Sequence, residues 1–179
     1  MFRFGIYKEN INFIMSLFRG IVAMAKNRVI GKDSSIPFYY KEDLKFFKSK
    51  TFNSNIIVGR KTYENLPVLF QRNIWVLTKN NNYGWTEKTW NNPTFDSFSN
   101  IHIVENIEEL PEDKDYWVAG GTEIYSLFID KNLISEFFVT QIIKEYEGNK
   151  IMPEFEDKFS KNEIVLTTKD FDIVRYYNE

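Results

Sequence analysis

Two adjacent glycines, Gly120 and Gly121, join an apolar run to a helical pattern, and that junction narrows the foldable options more than any other stretch. Tyr116 to Ala119 form a short apolar run without alternation, as in a strand covered on both faces. Beyond the glycines, Ile124, Tyr125, Leu127 and Phe128 recur at helical spacing, a stripe that packs back onto a sheet. Glycine has no Cβ, so backbone or a ligand can approach closely. Thr122 is the expected cap of the helix. A helix starting here would aim unpaired N–H groups past the strand end, a seat for phosphate. Locally, a plain turn and a ligand seat are both open readings.

The rest of the chain supplies the sheet. Leu17–Ala25, Ile56–Val58, Asn73–Leu77 and Ile101–Val104 read as buried strands, with Val29–Gly31 a short extended return. Tyr40–Lys50 reads as a helix, Gly59–Glu64 as a strand end turning into a short helix, and Asn106–Leu110 as a helical turn. A lid-like loop runs from Gly31 to Pro37, which fixes φ and keeps Ile36 out of helix. Glu136–Tyr146 reads as a long strand, and Ile164–Thr168 with Phe171–Tyr177 as a hairpin. Strands alternate with helices at first and then follow one another. That order predicts an α/β, doubly wound, mostly parallel mixed sheet with an antiparallel C-terminal edge and helices on both faces.

One domain is expected over 17–179, because 179 residues hold one core. Residues 1–16 form an N-terminal extension, too short and polar for a membrane span and without the pattern of a signal peptide. It reads as an extra strand, a tail or a partner-binding arm, and Met15 is an alternative start. Asn80–Asn100 is a polar, turn-rich stretch with Trp85 and Trp90 as its expected anchors. A net charge of -2 gives no support for a nucleic-acid face. Cysteine is absent, which excludes thiol chemistry, and the single histidine, His102, makes a zinc site unexpected. His102 alternates with its apolar neighbours, which leaves it facing solvent or a cofactor, and solvent is the expectation.

Asp43 is the anomaly. It stands beside Leu44 and one turn before Phe47, next to the apolar face of its helix. One reading is a first-turn charge stabilised by the helix dipole. The other is a buried acid in a pocket, with a perturbed pKa, holding a cationic or amidine-like ligand edge. Likewise Gly59 followed by Arg60, Lys61 and Thr62 suits a phosphate-holding corner or a solvated basic turn.

Six segments decide between such readings: Gly20–Gly31, Ile36–Phe38, Asp43–Phe47, Ile57–Thr62, Trp117–Tyr125 and Phe138–Thr140. In order and spacing they resemble the dihydrofolate reductase family, and the resemblance runs from about Leu17 to Tyr177. It implies reduction of dihydrofolate to tetrahydrofolate by hydride transfer from NADPH, for one-carbon metabolism and thymidylate synthesis. Catalytic roles then fall on Asp43, Thr140, Ile36 and Phe38. Asp43 would pair with the 2-amino group and N3 of the pteridine and favour protonation at N5, with Thr140 bridging acid and pterin. Ala23, Ile36, Phe38, Leu44 and Phe47 would wall the pocket. Phe38 departs from the more usual Trp and loses its indole N–H. Leu66 and Leu69 would line the benzoyl part. Arg72 would clamp the glutamate carboxylate, with Gln71 as rival because the loop is one residue short; arginine suits that bidentate task.

For the cofactor, the resemblance implies contacts from Ala23, Ile30 and Gly31. Gly59, Arg60, Lys61 and Thr62 would form one phosphate corner, and Thr78 with Lys79 would lie near the 2′-phosphate, which favours NADPH over NADH. Ala119, Gly120, Gly121, Thr122, Glu123, Ile124 and Tyr125 complete the set, with the Gly120–Gly121 peptide expected cis. Glu123 replaces a basic residue of some members. No metal, nucleic-acid or membrane partner is expected, and the location implied is the cytoplasm, or a host's if the gene is viral. A monomer is expected, with the extension as the route to a dimer. Two other readings stay open. One is a related NADPH-dependent reductase acting on another pterin or on a pyrimidine of riboflavin synthesis, against which Asp43 with Thr140 speaks. The other is a non-catalytic, RNA-binding descendant, whose signature would be loss of NADPH binding.

Overall fold

The computed structural model describes residues 17–67, 69–79 and 100–179. The expectations for the extension at 1–16 and for Trp85 and Trp90 lie outside those residues. Among the described residues, ten strands and three α-helices follow in chain order: β1 (Phe18–Met24), β2 (Val29–Gly31), α1 (Lys41–Thr51), β3 (Asn55–Gly59), α2 (Arg60–Asn65), β4 (Asn73–Leu77), β5 (Asn100–Val104), β6 (Tyr116–Val118), α3 (Thr122–Asp130), β7 (Ile134–Ile142), β8 (Lys150–Ile151), β9 (Lys161–Thr167) and β10 (Phe171–Tyr177). Single 3-10 turns fall at Ile107–Glu109 and Glu156–Lys158.

Eight strands make one sheet in the order β5-β4-β3-β6-β1-β7-β10-β9. The pairs from β5 to β7 are parallel, and β10 runs antiparallel to both β7 and β9. This is the doubly wound sheet with an antiparallel edge that the order of elements predicts. The chain winds outward from β1 both ways, so the strand ends on either side of β1 open onto a crevice. β1, β3, β4 and β6 are buried on both faces, which explains their unbroken apolar runs.

The two faces carry separate cores. On one, Ile124, Tyr125, Phe128 and Ile129 of α3 pack against Ile57, Val118 and Val139. On the other, Phe46 and Phe47 of α1 pack against Ile21, Val58, Trp117 and Phe138. Leu44 is not part of that stripe. It stands 46% exposed at the helix rim, and Phe46 takes the packed position that spacing from Leu44 did not reveal.

Three further readings change. The long strand begins at Ile134 and stops at Ile142, where a Glu136–Tyr146 strand is expected. Ile134 pairs with Phe18, whereas Ile143 is 58% exposed and the chain after it turns toward the loop that follows β1. Lys150–Ile151 was not expected as a strand; it pairs with β2, so the Val29–Gly31 return has a partner. His102 is not fully in solvent but half-buried, stacked on Trp75 with ring centroids 4.1 Å apart and 16° from parallel.

Candidate active site

The crevice brings α1 over β1 and β7. Thr140 lies opposite Ala23 in the parallel register of β1 and β7, and its hydroxyl donates to Asp43 Oδ1 at 2.6 Å. Asp43 sits in the first turn of α1, so the helix N-terminus contributes favourable partial charge. Burial nonetheless pushes its carboxyl above the ordinary value, and the Thr140 hydrogen bond pulls the other way. Thr140 itself is buried. Both local readings of Asp43 describe its place: it is a first-turn charge, and it is a partly buried acid with a fixed partner.

The loop before α1 frames the entrance. Ile36 is 62% exposed. Phe38 meets the ring of Tyr146 edge-on at 5.2 Å and lies near that of Tyr40, whose hydroxyl bonds that of Tyr146 at 2.9 Å. The preceding turn is closed by a Lys32–Ser35 bridge and tied to the segment after β7. Asn149 and Asp33 exchange two hydrogen bonds of 2.8 Å, and Lys32 pairs with Glu147 at 2.7 Å. Asn149, Tyr146 and Glu147 were missed by sequence reasoning, since nothing local marks polar residues that act on a loop more than a hundred positions away.

At the far end of α1, Arg72 and Gln71 part company. Gln71 has φ +57 and is exposed, the turn position. Arg72 is 6% exposed. Its Nη1 donates to the Phe70 carbonyl at 2.7 Å, and its Nη2 to the Lys48 carbonyl and Thr51 Oγ1, both at 3.3 Å. Burial draws its pKa below the ordinary value. Among the described residues no carboxylate pairs with it, so a buried cation is held by neutral acceptors only. Leu66 and Leu69 are half-buried against the same core as Phe47, which lines α1 between Asp43 and Arg72.

The glycine corner lies across β3 and β6. The Gly59 N–H donates to the Gly120 carbonyl at 2.8 Å, and Ala119 N–H to the Ile57 carbonyl at 2.9 Å. The Gly120–Gly121 peptide is cis and Gly120 has φ +102. A Cβ on Gly121 would lie 3.0 Å from Thr62 Oγ1, and one on Gly59 3.0 Å from Ile124. Close approach, more than turn-making, therefore demands these glycines. Gly121 is the N-cap and Thr122 the first residue of α3, so Thr122 does not cap the helix. Its Oγ1 is the one buried side-chain polar atom left without a partner among the described residues.

Other expected contacts are dispersed. Ile124 and Tyr125 are buried, and the Tyr125 hydroxyl donates to the Ile21 carbonyl at 2.7 Å, so both hold the corner from beneath. Arg60 reaches Glu64 at 3.4 Å. Lys61 and Glu123 are exposed, as is Lys79 just after Thr78 at the end of β4. Ile30 packs on the core below α3, and Gly31 accepts a hydrogen bond from Asn149 N–H.

A doubly wound sheet with a glycine corner on one side of the crevice and a hydrogen-bonded acid on the other defines a nucleotide-binding α/β fold with a second ligand site. Residues 17–173 match the family described as dihydrofolate reductase, and the chain belongs to that family. A dihydrofolate reductase of Mycoplasma genitalium is 32% identical over 166 residues, covering 89% of this chain and 96% of the relative. One from Buchnera aphidicola is 34% identical over 143 residues, 75% of this chain and 78% of the relative. The structure of an Enterococcus faecalis dihydrofolate reductase complexed with NADP(H) and RAB-propyl superposes with a TM-score of 0.68 at 22% identity, covering 91% of this chain and 97% of that one.

Proposed function

We propose that Asp43, held by Thr140, is the group that binds and activates the pteridine in an NADPH-dependent dihydrofolate reductase. The family reaction reduces dihydrofolate to tetrahydrofolate. The observation that carries the residue assignment is the 2.6 Å Thr140–Asp43 bond, made from the first turn of α1 to a β7 residue that lies opposite Ala23.

When bound, NADPH supplies a hydride from C4 of its nicotinamide to C6 of dihydrofolate. The residues of this chain fit that cofactor. Thr122 Oγ1 is buried and unpaired at the start of α3, and the glycines beside it leave room for backbone contact only. Thr62, Arg60 and Lys61 would hold one phosphate group, and Thr78 with Lys79 the 2′-phosphate. Glu123, exposed on the same helix turn, throws more of that charge onto Arg60 and Lys79.

Asp43 then does three things. It accepts hydrogen bonds from the 2-amino group and N3, which fixes the ring edge. It places a negative charge where the protonated pterin carries a positive one. By that charge it raises the proton occupancy of N5. Thr140 orients the carboxylate. Ile36 and Phe38 close the entrance and exclude water, which strengthens those interactions. Arg72, a buried guanidinium without a carboxylate partner, would take the glutamate carboxylate of the substrate.

Mixing the protein with NADPH and dihydrofolate should consume reduced nicotinamide and yield tetrahydrofolate, identified by mass. Consumption with a reduced pyrimidine but not with dihydrofolate would overturn the substrate assignment. The same reading carries a cytosolic location and a monomer, tested by fractionation and by light scattering. Among the described residues no helix is long and apolar enough to cross a membrane.

A further inference from the structure

The run that follows β7 is exposed at Ile143, Lys144, Glu145 and Glu147, and Tyr146 alone among them turns inward. The turn after β1 holds it there. Asn27 Nδ2 donates to the Tyr146 carbonyl at 2.8 Å, and the Tyr146 N–H donates to Asn27 Oδ1 at 3.3 Å. The Lys26 N–H adds a bond to the Lys144 carbonyl at 3.0 Å. The backbone of Tyr146 is thus fastened through both its N–H and its carbonyl, and its side chain is a fixed post beside the end of β1.

Two groups lean on that post. The ring of Phe38 meets it edge-on at 5.2 Å, and the hydroxyl of Tyr40 bonds its hydroxyl at 2.9 Å. Tyr40 is the N-cap residue of α1. Its carbonyl accepts the Leu44 N–H at 3.1 Å, and among the described residues no side chain caps the helix there. The Tyr40 ring stands edge-on to Phe171 of β10 at 5.5 Å, and both belong to a cluster with Ile142 and Ile173. Ile173 lies opposite Thr140. The side chain at the start of α1 is therefore packed on the strand pair that carries Thr140, and Asp43 follows within the same turn. Burial first, and then the Tyr146 bond, push the Tyr40 hydroxyl up to about 12, so its proton stays in place through neutral and mildly alkaline pH.

We propose that Tyr146 is a positioning residue for the reduction: bonded to Tyr40 and set against Phe38, it fixes the first turn of α1, and Asp43 with it, against the entrance loop. The proposal rests on the reading of Asp43 as the acid that holds the pterin. Its chemistry is geometric. Asp43 has to present its carboxylate to the ring edge while Thr140 holds one oxygen, so a small tilt of the first turn spoils one contact or the other. Misplacement of such a group by about 1 Å can cost on the order of 100-fold in rate. A hydroxyl-to-hydroxyl bond at the N-cap restrains that tilt with a direction that ring packing alone does not impose. Loss of either hydroxyl removes the same bond, so Tyr40 and Tyr146 act as one unit.

Tyr146→Phe, Tyr40→Phe and the double variant test this, since each keeps its ring. Single-turnover reduction is followed with saturating NADPH and dihydrofolate, at a temperature where circular dichroism shows every form folded. Each single variant should run about fivefold slower than the parent, and the double variant no slower than the singles. The KM for dihydrofolate should rise while that for NADPH stays at the parent value. Losses that multiply to about 25-fold in the double variant would overturn the proposal, because the hydroxyls would then act separately. Equal rises in both KM values, the mark of a general loosening, would overturn it too. If Tyr146→Phe fails to fold, Asn27→Ala, which frees the Tyr146 backbone, replaces it and should show the same split between the two KM values; no split there counts against the proposal. A parent that leaves NADPH unoxidised in the presence of dihydrofolate would remove the reading of Asp43 and this proposal together. An active parent with an unaffected Tyr146→Phe removes this proposal alone.

Discussion

At the scale of single residues, the role proposed for Asp43 sets function against stability. Its carboxyl is raised by burial, so the native state binds its proton more tightly than the unfolded chain does. Stability then falls as pH rises from the ordinary carboxylate value through the raised one, and the penalty stands in full at neutral pH. Asp43→Asn removes it. The variant should melt higher than the parent at neutral pH, with the difference shrinking in acid, as thermal unfolding at several pH values would reveal. The same change should cut turnover at neutral pH by about 100-fold or more, with partial recovery in acid as the pterin arrives protonated. Equal turnover would remove Asp43 from the mechanism. For Arg72, Arg72→Lys should keep the positive charge but lose the fork, raising the KM for dihydrofolate at least about tenfold while that for NADPH stays near the parent value. If Gln71→Ala does this instead, the clamp lies elsewhere.

At the scale of elements, the loop before α1 depends on the segment after β7. A Cβ on Gly148 would fall 2.3 Å from Val29 Cγ1 and 2.5 Å from the Gly31 carbonyl oxygen. Gly148→Ala must therefore push apart the loop segments that carry Lys32, Asp33 and Asn149. We expect single-turnover reduction to slow by about tenfold, from misplaced Ile36 and Phe38, with NADPH affinity changed less. Unaltered single-turnover rates would mean that the loop is positioned from elsewhere. These contacts mark the limit of what the chain reveals one segment at a time. β4 falls on the residues that its apolar run predicts, because burial on both faces leaves a local signature. Asp43 was visible as a charge out of place. The Asn149–Asp33 pairing was not, because its partners meet only when two loops are brought together. Nor was the end of β7, where Ile143 continues an apolar run that the sheet abandons. Thr122 misled for a related reason: a threonine after glycine resembles a cap, yet Gly121 occupies that place and leaves the hydroxyl unpaired.

At the scale of the molecule, ion pairs tie four strands together on one face. Glu136 of β7 accepts from Arg19 of β1 at 2.9 Å and from Arg175 of β10 at 2.6 Å; Arg175 also reaches Glu163 of β9 at 3.0 Å. Glu136 is the node, with its side chain 17% exposed. Glu136→Gln should lower unfolding free energy by about 1–2 kcal/mol in urea titrations at low salt, less at high salt, and leave NADPH oxidation unchanged. No loss at low salt would mean that the pairs break even against desolvation. The order of strands has a further consequence for synthesis. β7 carries Thr140, yet its neighbour on one side is β10, made only after β8 and β9. A nascent chain halted before Phe171 holds Asp43 and Thr140 but lacks the strand that backs them. Such a chain leaves Phe137 to Ile142 with an open side, so Thr140 is backed on both sides only once β10 has been added.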